Sequence, residues 1–107
     1  MTLAAPADLM PPPSTALRAH QAAARIRTLL HEVTVDMQTN SYWSMGWHAG
    51  ITNAVGGAAG DLAAAFGPTL AEEFADWLDE VASANARHGT PLPPLAQQAA
   101  CLFTDPA

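Results

Sequence analysis

The sequence predicts an all-α fold, an irregular bundle of four to five helices in a single domain. Three observations carry this. Half of the 107 residues are hydrophobic while only 7% are aromatic, and the balance is largely alanine, the strongest helix former. Runs of β-branched and aromatic residues, which favour strands, are scarce. Apolar residues recur at spacings of three and four over long stretches, the period of an amphipathic helix.

Residues 1–13 are rich in Pro and Ala and end in Pro11-Pro12-Pro13. Consecutive prolines favour an extended polyproline II rod, so this segment reads as an N-terminal arm ahead of a helical domain over 14–107. Ser14 and Thr15 offer hydroxyls to cap a first helix over about 16–38. Its stripe runs Ala19, Ala22, Ala23, Ile26, Leu29, Leu30, Val33 and Met37, with His20, Arg27, His31 and Thr34 opposite.

Asn40 or Ser41 can start a second helix, continuing to Val55. Trp43, Trp47, Ile51 and Val55 would line one side of it, and Gly46, Gly50 and Ala54 another. A glycine inside a helix costs about 1 kcal/mol relative to alanine, so a helix that keeps two implies a second backbone packed closely against it. Gly56-Gly57 ends the helix. A short third helix follows over 58–66, with Gly67 read as its C′ residue ahead of Pro68.

Thr69-Leu70-Ala71-Glu72 has the form of a capping box. The fourth helix then runs to His88, with Gly89 as a left-handed cap and Arg87 and His88 at the end favoured by the helix dipole. Leu70, Phe74, Trp77, Leu78 and Val81 form its apolar stripe, and Glu72, Glu73, Asp76, Asp79 and Glu80 its acidic side. Pro94 suits the first turn of a last helix over 95–103. Because alanine buries little area, the expected core is drawn from larger side chains: Ile26, Leu30, Val33, Trp47, Ile51, Leu62, Phe66, Leu70, Phe74, Trp77, Leu78 and Val81.

Charge narrows function. The formal net charge is −6, from ten carboxylates against four basic residues, all arginine. Such a chain lacks the cationic face that binds phosphate backbones or anionic membranes. No direct nucleic-acid or membrane binding is expected, and basic proteins become the natural partners. Met1–Met10 lacks the basic start of a signal peptide, and no stretch suits a membrane span, so a cytoplasmic location is expected.

Catalytic and metal motifs do not assemble. His20 and His31 share a face of the first helix but lie about 16 Å apart along it, too far for one ion. No H-x-x-x-H or C-x-x-C occurs, so neither metal nor cofactor is expected. Gly56-Gly57-Ala58-Ala59-Gly60 lacks both the spacing and the lysine of a phosphate loop. Cys101, the only cysteine, has no basic neighbour in sequence to activate it and reads as a small packed side chain.

Two surfaces are left as candidate binding sites. One is the aromatic and glycine-rich stretch, represented by Trp43, Trp47 and His48. The other is the acidic ridge of Asp76, Asp79 and Glu80. Together they suggest a non-enzymatic protein-interaction module, with a homodimer as one assembly. A small-molecule binder or minor enzyme using Trp43–Gly60 is one alternative, and it predicts a cavity lined by Trp43, Trp47 and His48. An acidic mimic of nucleic acid is another. The segments Tyr42–Gly57 and Ala75–Asp79 resemble parts of short proteins from actinobacteria and their phages. That resemblance implies an actinobacterial or phage origin and supplies neither an activity nor site residues; an accessory or inhibitor protein encoded by a phage or mobile element is what the two surfaces suggest in that setting.

Overall fold

In a computed structural model, residues 14–104 are described; the Pro-rich arm expected over 1–13 lies outside them. Five α-helices run in order: α1 (Thr15–Thr39), α2 (Gly46–Val55), α3 (Gly57–Ala65), α4 (Pro68–His88) and α5 (Pro94–Thr104), with one 3-10 turn at Ser41–Trp43 between α1 and α2. No strand occurs among the described residues, so the all-α bundle expected from the sequence is the fold.

α1 is the central element. Ser14 caps it by accepting a hydrogen bond from Leu17 N at 3.0 Å, satisfying one of the free donors of the first turn. α4 and α5 both pack along α1, but scarcely approach each other. Gly89 (φ 68°, ψ 13°) closes α4 in the left-handed conformation that glycine adopts without strain. Asn85 secures the exit: its Nδ2 donates to Thr90 O at 2.9 Å, and its Oδ1 accepts from Thr15 Oγ1 at 3.3 Å. Thr15 lies near the start of α1 and Asn85 near the end of α4, so the two helices run antiparallel.

The core departs from the expected one. Ala19, Ala22, Ala23, Ala75, Ala82 and Ala96 are fully buried, and among the described residues Leu78 is the one large side chain buried to the same degree. Ile26 is also buried, and Leu30, Phe74, Trp77 and Val81 pack against this cluster. Leu62, Phe66 and Leu70, expected inside, are exposed by 65%, 61% and 43%; Val33, Trp47 and Ile51 are only half-buried. Where α1, α4 and α5 meet, the physical reason is spacing. Facing alanines let helix axes approach toward the near end of the roughly 8–10 Å range, and at that separation larger residues fit only at the flanks. Small side chains therefore occupy the interior, and Phe and Leu splay around it.

α2 and α3 form a short hairpin that packs mainly against itself and the 3-10 turn, and barely against the body. That placement leaves Leu62 and Phe66 uncovered. Three expected boundaries also shift. The second helix begins at Gly46 rather than at Asn40 or Ser41, because Gly46 takes φ +90°, which a right-handed helix cannot run through. Gly67 is extended (φ −76°, ψ 179°) and precedes α4 instead of closing α3. Pro68, with its missing N–H and preset φ, starts α4 one residue before Thr69, so Thr69 falls inside the first turn and no side-chain cap forms.

Candidate functional site

The six candidate binding residues fall into two separate places. Trp43, Trp47 and His48 belong to the hairpin; Asp76, Asp79 and Glu80 belong to α4.

At the hairpin, Trp43 and Trp47 stack on each other with ring centroids 5.6 Å apart and planes 5° from parallel. Tyr42 meets Trp43 edge-on at 5.1 Å. Each polar handle is used within the chain. Trp43 Nε1 donates to Asp36 Oδ2 at 2.6 Å, Trp47 Nε1 donates to Ala64 O at 3.1 Å, and Tyr42 OH donates to Gly50 O at 2.5 Å. Gly50 is needed for this arrangement: a Cβ there would lie 2.4 Å from Trp43 Cε3. The close approach expected at Gly50 is thus made by an indole ring. The approach between backbones occurs at Gly60, where a Cβ would sit 3.4 Å from Thr52 Cα. Both tryptophans are half-buried, and His48 is exposed. These aromatics tie the 3-10 turn, the end of α1 and both hairpin helices together.

On α4, the acidic side splits in two. Asp76 and Asp79 both reach Arg27 of α1, Asp79 half-buried and Asp76 still exposed. Arg27 Nη2 lies 2.8 Å from Asp76 Oδ1, and its Nη1 lies 2.6 Å from Asp79 Oδ2. The His20 ring, through Nδ1, donates to Asp79 Oδ1 at 2.7 Å. Burial pushes the Asp79 carboxyl up, but the hydrogen bonds from His20 and Arg27 outweigh it and leave its pKa below the ordinary carboxylate value. The Arg27 guanidinium, bonded first to Asp76 and then to Asp79, is held protonated more firmly than a free arginine. This cluster clamps α1 to α4. Glu80 stands apart on the exposed side of the helix.

The surface that sequence reasoning missed lies between α4 and α5. Because both pack on α1 without closing on each other, a trough opens over α1. One cavity, of about 480 Å³, is lined by Phe66, Leu70, Ala71, Glu73, Phe74 and Leu95. A second, of about 200 Å³, is lined by Ile26, Leu29, Leu30, Val33, Ala71, Phe74 and Phe103. The two adjoin at Ala71 and Phe74; α1 lines only the second, and Leu95 of α5 only the first. The available signal was the surplus of large apolar residues, spaced four apart at Leu62, Phe66, Leu70 and Phe74, beside stripes of alanine already able to close the helix contacts.

Among the described residues, no group of three or more His, Cys, Asp or Glu is placed to hold a metal ion. No described helix is long and apolar enough to cross a membrane. Cys101 is exposed instead of packed. No family model, curated protein or solved structure matches the chain.

Proposed function

We propose that the chain is a non-enzymatic protein-interaction module whose docking surface is the α4–α5 trough. The observation that carries this reading is the apolar depression along α4, where Phe66, Leu70 and Leu95 stay substantially exposed on a chain whose interior is closed by alanine. Contiguous exposed apolar surface beside polar residues is the usual mark of a protein contact. Stacking within the chain occupies faces of Trp43 and Trp47, which weighs against a ligand slot between them. Pairing of Asp76 and Asp79 with Arg27 and His20 weighs against a free acidic ridge or a nucleic-acid mimic. An accessory role in a phage or mobile element is the setting that the resemblance suggests.

Site-directed photocrosslinking tests the reading. A crosslinker at Leu70 should trap a discrete protein that a crosslinker at Ala86, on the exposed end of α4, does not. The trapped protein, purified, should rebind the wild-type chain and fail to bind Leu70→Asp. A partner trapped equally from both positions, or one whose rebinding ignores Leu70→Asp, would remove the trough from the mechanism. Tryptophan fluorescence titrated with a metabolite panel separates the small-molecule alternative, which requires a saturable change at Trp43 and Trp47.

A further inference from the structure

Resting on that interaction reading, we propose that the trough receives an amphipathic helix carrying two basic residues about seven positions apart on one flank. The shape argument comes first. In the second cavity α1 supplies the floor through Ile26, Leu29 and Val33, with Phe74 of α4 and Phe103 of α5 as walls; the first adjoins it at Phe74 and is lined by Leu70 and Leu95. Two helices lying on a third and leaving a gap between them make the groove into which an amphipathic helix lays its apolar face. On α4, Phe74 follows Leu70 by one turn, and this wall offers ridges to the i, i+3 and i+4 side chains of an incoming helix.

Charge selects the occupant. Among the described residues, Glu73 is the one ionisable group lining either cavity. Glu80 follows it by seven positions and therefore lies on nearly the same strip of α4, about 10 Å further along the axis, where it lines neither cavity. Both glutamates are exposed. Asp76 and Asp79 lie on the other flank, in the Arg27 clamp. α5 brings no charged residue to the opposite wall. The α4 lip is thus purely acidic, on a chain of net charge −6 that contains no lysine. A second copy of the chain would bring this acidity to the same rim. A basic flank complements it, and two cations one heptad apart match Glu73 and Glu80. Pairs on such an exposed rim add modest affinity and a larger share of partner choice and salt dependence.

A 16-residue helical peptide serves as probe, with leucines at positions three and four apart on one face and lysines seven apart on its flank. Its twin carries glutamates in place of the lysines. Fluorescence anisotropy should show the lysine peptide binding the full chain about tenfold or more tighter than the twin, with the preference shrinking as salt rises. The double variant Glu73→Lys with Glu80→Lys should invert the preference. Leu70→Asp and, independently, Leu95→Asp should abolish binding while helical content stays unchanged; both sites are exposed enough to accept the charge without unfolding. If both peptides bind equally, the trough takes helices but the proposed basic flank is wrong. If neither binds, or sedimentation finds a dimer of this chain sealed by Leu70 and Leu95, the proposal falls, while the trough reading is decided separately by the crosslinking and rebinding at Leu70.

Discussion

One substitution made at two sites, with its converse at a third, tests whether alanine rather than leucine closes this core. Leu78 is fully buried, whereas Leu62 is 65% exposed. Leu78→Ala should cost about 2–5 kcal/mol, the usual range when a buried leucine leaves a cavity. At Leu62 only about a third of the side chain leaves water. Full burial of a leucine contributes roughly 1.5–3 kcal/mol, so Leu62→Ala should cost about 0.5–1 kcal/mol. The converse change is Ala22→Leu. Ala22 is 0% exposed, so the added carbons find no room and must push α1 off a neighbour, a penalty of about 1–3 kcal/mol. For a domain of this size each kcal/mol moves Tm by roughly 4–8 °C. Melts followed at 222 nm, with urea titrations for free energies, provide the readout. If Ala22→Leu melts at or above the wild type, or Leu62→Ala matches Leu78→Ala, the alanine-spaced core is refuted.

Further consequences follow from individual contacts. Gly50→Ala places a Cβ against Trp43; the ring should leave its slot, shifting tryptophan emission to the red and changing near-UV dichroism, while far-UV signal from α1, α4 and α5 persists. Global stability should change little there, because the helix propensity gained, about 1 kcal/mol, offsets lost packing; an unshifted emission spectrum would contradict the Trp43–Gly50 contact. Asp79 has a folded pKa below its unfolded one, so its contribution is present above the unfolded value near pH 4 and is lost as pH falls through the folded value. Urea midpoints measured from pH 2 to 6 should accordingly show a shallower acid limb in Asp79→Asn, by under about 1 kcal/mol given the solvent exposure of the pair; a limb as steep as wild type would contradict the clamp. Ala71→Leu adds a side chain on the α4 wall, where both cavities have space. It should raise stability by up to about 1 kcal/mol and weaken peptide binding; unchanged peptide affinity in anisotropy would show that the occupied surface lies elsewhere.

The sequence made the long elements legible because their signals are local. Ser14, Gly89 and Pro94 punctuate helices through their own backbone and side-chain chemistry, and α1, α4 and α5 fall close to where these residues place them. Gly46 was harder to read. It follows a 3-10 turn whose Tyr42 and Trp43 fold back onto Gly50 and Asp36, contacts that no window of apolar periodicity reports. The core composition was hidden for a different reason. Apolar spacing identified the alanine stripe on α1, but it does not report helix separation, and separation decides whether alanine or leucine fills an interface. The Arg27–Asp76–Asp79–His20 cluster depends on α1 pairing antiparallel with α4 at a particular register. From sequence each of these side chains looks like part of a solvated face.

The same composition accounts for both the stability of the body and the presence of its unfilled surface. A leucine-filled interface between α1, α4 and α5 would hold the helices farther apart and consume Leu70, Phe74 and Phe103 as interior residues. Because Ala19, Ala22, Ala75, Ala82 and Ala96 close those contacts instead, the larger side chains are displaced to the flanks. On one flank of α4 the Arg27 clamp covers the junction with α1. On the other no comparable bridge spans α4 and α5 among the contacts of the described residues, and the displaced side chains line open space. Small residues inside, large residues outside and ionic closure on one side together leave an apolar trough with a single acidic lip. That asymmetry leaves Glu73 as the one ionisable group among the described residues lining either cavity, on the side of α4 that the clamp does not bridge.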